Sequence, residues 1–492
     1  MTLYPDFKTF KELSKRYKRV PVYAELIGDM ETPVSAFLKL KKGSYNFLLE
    51  SAEQEEKVGR YSFLGTNPEL VIKGKGDMIE IYHNRSGEKQ RISSKRPVSV
   101  IDKLLQDNRA PSYPSLPGFT GGLIGYFSYD FVRQVDKLPD TSPDKLLAPD
   151  FFFMLIENMV IFDHFKRKMV IVSNADTKDV SLKQAYERAC QSIKNIRRQI
   201  EKPSFILQYP TPRASKQQFV SNISKKNFMK SVTKIKRHIQ DDEILQAVIS
   251  QKWQKKLDVS PFNIYRALRT INPSPYMFYL DAGEFKLVGS SPEILVKLDG
   301  KTATTRPIAG TRTRGKNKKE EEHLEKDLLA DKKEIAEHLM LVDLGKADLE
   351  KVCSPKTVKV TDLMAIEKYS HVIHIVSNVE GTLKPRKRAI DLISATFPAG
   401  TVSGAPKTRA MEIIEGLEAE KRGPYAGAVG YFSLQGNMDF CITIRTFVVK
   451  GNNLSLQTGA GIVADSVPEK EYRETENKAR GMIEAYNLAK KI

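Results

Sequence analysis

The sequence predicts an α+β fold, in which antiparallel β-sheets are sandwiched by helices and two domains pack intimately against each other. Strand-like runs, broken by Gly, Asn and Pro, follow one another directly along much of the chain. Strands that succeed one another without an intervening helix favour antiparallel pairing. A stretch with three prolines, EKPSFILQYPTPRASKQQ, predicts a linker. We therefore expect domains at residues 1–218 and 219–492.

The N-terminal half is predicted to consist mainly of strands. Residues 1–20 have the spacing of a short amphipathic helix, and β-rich runs follow over 21–175. The apolar run at 151–175 predicts two strands of a buried hairpin that turn near Asp163–His164. A helix is expected at about 178–200.

The C-terminal half mixes helices and strands irregularly. It begins with a predicted helix at 222–240, for which Ser224 is the candidate N-cap. Strands and turns follow, then helices at about 320–345 and 386–396. Hairpin-like runs precede a final helix, so this half also fits antiparallel sheets flanked by helices.

The composition is that of a soluble globular protein, since 40% of the residues are hydrophobic and 28% are charged. No apolar run approaches the roughly 18 residues that would span a membrane, and the N-terminus lacks the apolar core of a secretory signal. Three cysteines without motif spacing, Cys190, Cys353 and Cys441, favour a reducing cytoplasm.

The net charge of +19 points to anionic partners. The excess lysine is scattered along the chain, and its densest patches lie at 15–19 and 311–319. No helix-turn-helix, zinc-finger spacing or aromatic ribonucleoprotein motif accompanies them. We therefore expect no nucleic-acid partner and no membrane partner. A basic nucleic-acid-binding or scaffold protein remains the alternative from another functional class.

The main candidate site consists of two acidic motifs far apart in the chain. Glu334 and Glu337 lie in DKKEIAEHLMLVDL, where helical spacing places them on one stripe with Leu341 and Leu344. Carboxylates in line with an apolar face are either buried and paired or hold a cation. Two such helices facing each other would form an oxygen-rich pocket suited to Mg²⁺.

The second acidic motif lies in the last predicted helix. A capping-box pattern, Ser466-x-x-Glu469 with Pro468 in the first turn, predicts where this helix begins. Glu471 and Glu474 lie beside its apolar stripe rather than within it. On spacing alone, a solvated helix face therefore remains an alternative to a metal site.

Four glycine-containing loops occur in the second half, at 307–312, 397–407, 422–432 and 457–462. Glycine lets backbone N–H groups approach a ligand closely. None of these loops has the spacing of a Walker loop, and none precedes a helix as in dinucleotide-binding folds. The pattern therefore disfavours a nucleotide cofactor.

Taken together, these segments resemble the chorismate-utilising enzymes, and within that family the large component of anthranilate synthase. The motifs GSSPEIL, PIAGTRTRG, KEIAEHLMLVDLG, YSHVIHIVSNVEG, FPAGTVSGAPK, GPYAGAVGY and GAGIVADSVPEKEYRETENKA occur in family order. The resemblance covers nearly the whole chain and is clearest from about residue 224 to 485, with LLESAE and GRYSFLGTNP in the first half. It implies the fold of that component, with the chorismate-binding catalytic domain at 219–492.

The resemblance implies that Mg²⁺ holds the ring carboxylate of chorismate. Four glutamates would hold the ion directly or through water: Glu337, Glu474, Glu334 and Glu471. The implied substrate-binding residues are Gly310, Thr311, Tyr425, Arg445, Gly459, Ala460, Gly461 and Lys478. The amides of 459–461 and Lys478 would cover the ring carboxylate. Arg445 and Tyr425 would take the enolpyruvyl carboxylate, because a guanidinium can bind a carboxylate through two parallel hydrogen bonds.

Four residues are implied in catalysis: Glu293, His374, Thr401 and Gln246. Glu293 would protonate the departing ring hydroxyl, which requires a raised pKa. His374 would assist the later loss of pyruvate, while Thr401 would position the ring together with Gly310 and Thr311. Without the resemblance, His374 fits a core histidine, Arg445 a structural ion pair, and Glu293 a turn residue.

Two positions select among the reactions of the family. Gln246 stands where relatives that add water carry a lysine base, and Ala309 stands where relatives that form aminodeoxychorismate carry a lysine. Glutamine cannot take a proton from water, whereas neutral ammonia needs no activation. We therefore expect amination of chorismate beside the ring carboxylate and elimination of pyruvate, which gives anthranilate, the first step of tryptophan biosynthesis. Aminodeoxychorismate synthase is the rival within the family.

The ammonia is expected from a separate glutamine amidotransferase subunit, because none of the three cysteines lies in a strand–turn–helix elbow. We therefore expect a hetero-oligomer. The resemblance also implies a pocket for feedback inhibition by tryptophan, lined by Glu50, Ser51, Asn272, Pro275, Tyr276, Met277, Val429 and Tyr431. Glu50 would meet the ammonium group, while Tyr and Met would pack the indole. An ordinary domain interface is the alternative.

One segment departs from the family pattern. Where the family has Leu-Gly-Arg-Asn-Asp-Leu-Gly-Arg, this chain has LGKADLEK, with Lys346, Ala347, Glu350 and Lys351 at the changed positions. Lysine keeps the charge of arginine but loses its fork, and alanine loses two hydrogen-bonding groups. If these residues support the first acidic helix, catalysis or coupling to the partner would be weakened.

Overall fold

The computed structural model describes residues 1–51, 59–178, 180–203, 217–368 and 372–492, with only the backbone of Thr311. Within these residues the chain forms eleven α-helices and 24 β-strands. In the same part of the chain, none of the helices combines the length and the apolar character needed to cross a membrane.

The helices have the following bounds: α1 Phe7–Ser14, α2 Pro33–Leu40, α3 Pro97–Asp107, α4 Leu182–Ile200, α5 Lys225–Gln240, α6 Pro261–Ile271, α7 Lys318–Ala330, α8 Lys332–Glu350, α9 Ala389–Thr396, α10 Lys407–Glu415 and α11 Pro468–Ala489. The strands have the following bounds: β1 Arg19–Ile27, β2 Asn46–Glu50, β3 Tyr61–Thr66, β4 Leu70–Lys75, β5 Met78–His83, β6 Lys89–Ser93, β7 Gly122–Phe127, β8 Phe151–Ile156, β9 Asn158–Asp163, β10 Lys168–Asp176, β11 Val220–Ser221, β12 Gln246–Lys256, β13 Tyr276–Ala282, β14 Phe285–Ser291, β15 Ile294–Asp299, β16 Thr302–Thr305, β17 Ile308–Thr313, β18 Lys359–Lys368, β19 Val372–Thr382, β20 Gly404–Ala405, β21 Ala428–Ser433, β22 Met438–Ile442, β23 Thr446–Lys450 and β24 Asn453–Ile462.

Two twelve-stranded sheets contain these strands. The first has the order β1-β10-β9-β3-β2-β13-β14-β23-β24-β12-β11, with β20 attached to β12. The second has the order β17-β19-β16-β15-β22-β21-β7-β8-β4-β5-β6, with β18 attached to β19. Every pairing in the described chain is antiparallel. The predicted α+β architecture with antiparallel sheets is confirmed.

The two sheets pack face to face, and helices cover their outer sides. In β8 all six residues are buried. Phe152, Met154 and Ile156 belong to the cluster between the sheets, whereas Phe151, Phe153 and Leu155 pack on the outer side with α3, α8 and α9. On the far side of the first sheet, α2, α4, α6 and α11 bury their apolar faces in a third cluster. Because side chains alternate along a strand, a strand between two layers reads as a continuous apolar run.

The predicted buried hairpin with its turn near Asp163–His164 is confirmed, but the stretch 151–175 forms three strands and not two. β9 and β10 form the hairpin and turn at residues 164–167. β8 belongs to the other sheet, where it pairs with β4 and β7. The chain passes from one sheet to the other at Glu157. Because the residues on both sides of Glu157 are apolar, the sequence pattern does not indicate this change of sheet.

The helix ends agree with some predictions and correct others. The Ser224 hydroxyl accepts a hydrogen bond from the Asn227 N–H (3.3 Å), so this N-cap is confirmed. The helix predicted at 320–345 is two helices, divided at Asp331, whose carboxylate caps α8. The predicted capping box of α11 is wrong, since Val467 is its N-cap. The Ser466 hydroxyl instead accepts from the Val463 N–H (3.1 Å).

The halves before and after the predicted boundary share both sheets. In the first sheet β2 pairs with β13, and in the second β7 pairs with β21. Each sheet therefore combines strands from both halves in one continuous ladder. The division into 1–218 and 219–492 stays a prediction, and part of its linker lies outside the described residues.

Candidate active site

The candidate active site lies where α8 and α11 approach the end of the first sheet. There β24 continues beyond its partner β23, whose ladder ends at the Phe447–Leu456 pair. The next residues, Gly459, Ala460 and Gly461, pair only with β12, opposite Ser250, Ile249 and Val248. Since amides alternate in direction along a strand, this stretch offers backbone groups on its free edge.

Gln246 and Glu337 meet at Gly461. The Gln246 Nε2 atom donates a hydrogen bond to the Glu337 Oε1 atom (3.2 Å). A methyl group on Gly461 would lie 2.5 Å from that Nε2 atom, so only glycine leaves room for this arrangement. The glycine-containing loop at 457–462 thus admits a side chain of β12 and a carboxylate of α8 beside its backbone.

The orientation of the Gln246 amide follows from this contact, because a carboxylate can only accept. The acceptor of this amide is then its Oε1 atom. It is buried and has no hydrogen-bond partner among the described residues. A buried acceptor without a donor is costly, and it marks a place where a ligand with N–H or O–H groups would be held.

The Glu474 carboxylate lies within range of the charges of the other three glutamates. Burial raises the pKa of Glu334, Glu337 and Glu471, and in each case the Glu474 carboxylate adds to the rise. Glu334 further raises the pKa of Glu337. The two acidic motifs therefore face a common region from α8 and α11, as two helices that share one ligand would.

These residues offer the donor atoms that Mg²⁺ prefers, but their side chains do not lie close enough together to enclose an ion. Carboxylate oxygens are the donors that Mg²⁺ takes from proteins, and a cation would relieve the repulsion that raises these pKa values. However, no three carboxylate, His or Cys side chains of the described chain are gathered closely enough to form a ligand cage. Glu474 is 46% exposed and pairs with Lys478 (2.7 Å). Holding an ion would draw α8 and α11 together.

Glu293 lies just before β15, partly buried and lining a small cavity of about 40 Å³. Burial raises the pKa of its carboxyl to about 7, while Thr401, Arg445 and Lys478 hold back part of the rise. The Thr401 hydroxyl lies beside this carboxyl but has no well-aligned hydrogen-bond partner in the described chain. Glu293 can therefore keep a proton near neutral pH, as a general acid must.

Arg445 is a partly buried cation whose guanidinium has no hydrogen-bond or ion-pair partner among the side chains that the structure describes. Burial lowers its pKa, and Glu293 is the nearby group that opposes the shift. Its backbone has a positive φ of 48°, an uncommon conformation for a residue with a side chain. An unpaired guanidinium in such a place is a candidate carboxylate binder, because its fork suits that group.

Lys478 and Tyr425 adjoin the same stretch of β24. The Lys478 Nζ atom donates to the carbonyl of Gly459 (2.9 Å) in addition to its Glu474 pair. A methyl group on Gly459 would lie 2.7 Å from the Tyr425 hydroxyl. The Tyr425 side chain therefore packs closely against the backbone of this glycine. Both residues thus lie near the backbone predicted to bind the ring carboxylate.

His374 and Gly310 lie across the site on β19 and β17. The His374 Nδ1 atom is 2.8 Å from the Gly310 carbonyl, which can only accept, so Nδ1 carries the proton. Burial lowers the pKa of His374, which keeps the ring neutral near pH 7. Gly310 has φ +71°, and a methyl group there would lie 3.3 Å from Glu334. The Thr311 backbone pairs with His374, while its side chain lies outside the described part of the chain.

The predicted tryptophan residues lie elsewhere, around a cavity of about 520 Å³ between the two sheets. Seven of the eight line it: Glu50, Ser51, Pro275, Tyr276, Met277, Val429 and Tyr431. Asn272 does not belong to this lining. Its carbonyl accepts a hydrogen bond from Ser290, and its side chain faces Met482 and Gly481. The eight residues are thus not all brought together.

The Glu50 carboxylate is already engaged inside this cavity. It accepts from the Tyr265 hydroxyl and pairs with Arg269 (3.0 Å), although burial still raises its pKa. Asp439, which the motifs did not indicate, also lines the cavity and accepts a hydrogen bond from the Tyr276 hydroxyl (2.9 Å). Lys297, its cross-strand neighbour, lines the cavity too. Side chains alternate along a strand, so Asp439 and Cys441 share one face of β22. This spacing could have indicated Asp439 as a lining residue.

Three of the four residues that depart from the family pattern lie on the surface of the protein. Ala347, Glu350 and Lys351 are exposed at the C-terminal end of α8. Asp348, which keeps the family residue, pairs with Lys351 (3.0 Å) and also with Lys407. The substitutions therefore change the surface of α8 and leave its buried anchor to α10 in place.

The sequence motifs did not indicate Arg312 as a functional residue, although it lies in the basic patch at 311–319. Its guanidinium pairs with Asp327 (2.7 Å) and Asp331 (2.9 Å), and its Nη1 atom is 3.7 Å from Glu334. It ties β17 to the junction of α7 and α8, where Glu334 begins the acidic face. Arg312 follows Thr311 directly in β17. Its partners, Asp327 and Asp331, lie on α7 and at the start of α8, and the local sequence pattern does not show where these helices lie relative to β17.

Comparison with known proteins shows the family to which the chain belongs. The sequence profile described as chorismate binding enzyme matches residues 44–484. The chain therefore belongs to the chorismate binding enzyme family.

Within that family, it is similar along its whole length to proteins named anthranilate synthase component 1. The one from Acetivibrio thermocellus is 45% identical over 500 residues, which cover 99% of each chain. The one from Aquifex aeolicus is 45% identical over 491 residues, with the same coverage. Among solved structures, anthranilate synthase component I from Streptococcus pneumoniae superposes with a TM-score of 0.78 at 35% identity, covering 93% of this chain and 98% of that one.

The Gly461→Ala variant tests whether the space at this glycine is needed. The added methyl group must displace Gln246, so we expect kcat/KM for chorismate with ammonia to fall by about 100-fold, with a nearly unchanged Tm. Chorismate consumption and thermal unfolding measure the two quantities. Gly416→Ala is the control, because its methyl group would meet nothing closer than 3.7 Å. Full activity in Gly461→Ala would show that Gln246 is not required there.

Proposed function

We propose that the protein aminates chorismate with ammonia and eliminates pyruvate, which gives anthranilate. The observation that carries this proposal is the Gln246 amide, whose Nε2 atom bonds Glu337 and whose buried Oε1 atom has no hydrogen-bond partner among the described residues. An amide oxygen can accept a hydrogen bond from ammonia and orient it, but it cannot remove a proton from water. Addition of ammonia is therefore favoured over addition of water.

Arg445 supports the choice of substrate. A partly buried guanidinium without a side-chain partner among the described residues is suited to bind an anion, and chorismate brings two carboxylates. The enolpyruvyl carboxylate would pair with Arg445, while the ring carboxylate would lie towards the backbone of 459–461 and Lys478. The two ends of the substrate would then be held at different walls of the site, which orients the ring between them.

Glu293 would supply the proton that the departing hydroxyl needs. With a pKa of about 7, it can be protonated before the reaction and can lose that proton as the C–O bond breaks. Ammonia forms the new C–N bond, and the hydroxyl leaves as water. Loss of the ring proton and cleavage of the enolpyruvyl C–O bond then release pyruvate and leave an aromatic ring. His374, neutral and with its Nδ1 proton held by Gly310, would assist this second stage.

Mg²⁺ would be held by Glu337 and Glu474, with Glu334 and Glu471 as direct or water-mediated ligands. Bound there, the ion would supply positive charge for the ring carboxylate and stabilise the negative charge of the reacting ring. The chain's own contribution is the placing of carboxylates on α8 and α11 around one region, with Gly461 leaving the space between strand and helix.

A separate glutamine amidotransferase would supply the ammonia. Burial raises the pKa of Cys190, Cys353 and Cys441, which disfavours the thiolate that a glutaminase nucleophile requires. The protein would thus act within a hetero-oligomer, with free ammonia as a substitute for the partner. The name component 1 that its relatives carry also supports a partner.

The rival within the family, synthesis of aminodeoxychorismate, is disfavoured at β17. Ala309 stands in the site strand opposite Ile375, and a methyl group cannot form a covalent intermediate with the ring. The two products separate these functions, since anthranilate is aromatic and fluorescent without a further enzyme.

Tryptophan is the second ligand we propose, as an inhibitor in the 520 Å³ cavity. Phe119 and Tyr431 stack there with ring centroids 4.0 Å apart, and the Ser51 hydroxyl is buried without a hydrogen-bond partner in the described chain. Aromatic walls, an unpaired hydroxyl and the neighbouring charges of Asp439 and Lys297 suit an aromatic amino acid.

Removal of the metal tests the role of the acidic motifs. We expect chorismate consumption with ammonium salt to stop in chelator and to return with Mg²⁺. Glu474→Gln should lower kcat/KM by about 100-fold or more, because one charged ligand is lost. Glu322→Gln, at an exposed glutamate of α7, is the control that keeps activity. Unchanged turnover in chelator would contradict the metal site.

The pH dependence tests Glu293. The acid form is the active one, so kcat measured at constant free ammonia should be highest below pH 7 and fall about tenfold per unit above it. The pKa of about 7 sets the bend of this profile. Glu293→Gln should lose most of the activity at every pH. A flat profile from pH 6 to 9 would contradict the assignment.

Tryptophan binding distinguishes the two carboxylates of the large cavity. Tryptophan should raise the Tm and inhibit the wild-type protein. Asp439→Asn should weaken binding by about tenfold or more, because it removes a charge that can meet the ammonium group. Glu50→Gln should have a smaller effect, since Tyr265 and Arg269 already engage that carboxylate. Calorimetry measures both affinities, and equal effects would contradict the expected order.

A further inference from the structure

Arg422 is a buried residue that the proposed reaction does not use. It lies in the loop between α10 and β21, at the start of the glycine-containing segment 422–432, and only 2% of it is exposed. A buried arginine needs partners for its charge and for five N–H donors. Where those donors go shows what the residue holds together.

Glu418 neutralises the guanidinium through two hydrogen bonds. The Nε atom donates to Oε2 (2.9 Å), and the Nη2 atom donates to Oε1 (2.7 Å). The same Oε1 atom accepts from the N–H (2.9 Å) and the hydroxyl (2.6 Å) of Ser250 on β12. The ion pair is therefore anchored directly to the first sheet.

Two backbone carbonyls take two of the three remaining donors. The Nη1 atom donates to the carbonyl of Val402 (2.7 Å), and the Nη2 atom donates to the carbonyl of Val248 (2.6 Å). The guanidinium also lies over the Tyr129 ring at 4.6 Å and 5.7 Å from the Tyr425 ring centroid. One planar group thus connects a turn, a strand and two aromatic rings.

Each connected element carries a residue of the candidate active site. Val402 follows Thr401, the neighbour of Glu293. Val248 lies opposite Gly461 in the ladder, and Ser250 lies opposite Gly459. Tyr425 packs against Gly459. The three walls of the site that carry the acid, the backbone amides and the tyrosine therefore share one fixed point.

The geometry of these bonds requires a guanidinium. Its donors radiate in one plane, so it can grip a carboxylate on one side and two carbonyls on the others. A lysine ammonium would keep the charge, but it would have three donors at a single atom and no flat face to lie over the Tyr129 ring. Substitution by lysine therefore removes the connections while keeping the charge.

We propose that Arg422, paired with Glu418, is a positioning residue for the reaction, which holds the turn of Thr401, the strands β12 and β24 and the ring of Tyr425 in one arrangement. This inference rests on the proposed amination of chorismate. Arg422 does not touch the reacting atoms, and its effect on turnover passes through the residues that it fixes.

The test compares Arg422→Lys with Arg19→Lys. Arg19 is equally buried, with 2% exposed, and it pairs with Glu69 (2.7 Å) and Asp176 (3.2 Å) far from the site. Both variants should lower the Tm. In Arg422→Lys alone, we expect the KM for chorismate to rise about tenfold and kcat to fall about tenfold, since small displacements of positioned groups are costly to the rate. Steady-state kinetics well below each Tm measures both constants.

The KM separates positioning from a loss of folded protein, because a smaller folded fraction lowers the apparent kcat and leaves KM unchanged. Unchanged KM and kcat in folded Arg422→Lys would overturn the inference, and so would equal kinetic changes in Arg19→Lys. If Arg422→Lys does not fold, Glu418→Gln takes its place with the same expected rise in KM, and an unchanged KM there overturns the inference. A wild-type protein that does not consume chorismate would instead refute the proposed function.

Discussion

The candidate active site depends on one electrostatic constraint, which is the approach of like-charged carboxylates from two helices. Glu334 and Glu337 lie on α8, while Glu471 and Glu474 lie on α11, and each of the first three has a pKa raised by burial and by Glu474. Such an arrangement opposes folding unless something offsets the repulsion. Lys478 does so in part through its pair with Glu474, and a divalent cation would do so more fully.

The surrounding structure keeps these helices in place. The Asp331 carboxylate caps α8 at its first turn, Arg312 joins that turn to β17, and the Lys407–Asp348 pair fastens the other end of the helix to α10. On the opposite wall, α11 packs on the first sheet through Ala479, Met482 and Tyr486. The acidic faces are thus carried by elements whose other sides are buried, which is how unfavourable local charge can persist in a stable fold.

Much of this could be predicted from the sequence, because the signals are local. Helical spacing placed Glu334 and Glu337 on one stripe, direct succession of strands indicated antiparallel sheets, and glycine spacing indicated close approach of backbone. Other features depend on partners distant in the chain. The crossing at Glu157 depends on the partners of β8 and β9, which belong to different sheets. The Asp439–Lys297 pair depends on β15 lying beside β22. The contacts of Arg422 depend on β12 and the turn at Val402, and a local sequence pattern reveals none of these neighbours. The capping box at Ser466 failed for a different reason, since its hydroxyl bonds backwards to Val463.

The most direct test of the central claim is the proton release that accompanies Mg²⁺ binding in the presence of chorismate. Carboxylates with raised pKa values must lose protons before they bind a cation. Calorimetry in two buffers of different ionisation enthalpy, at about pH 5 and about pH 8, measures this release. We expect protons to be released at the lower pH, with weaker binding there, and almost none at the higher pH. Mg²⁺ binding that is equally strong at both values without proton release, or no binding at all, would contradict the account.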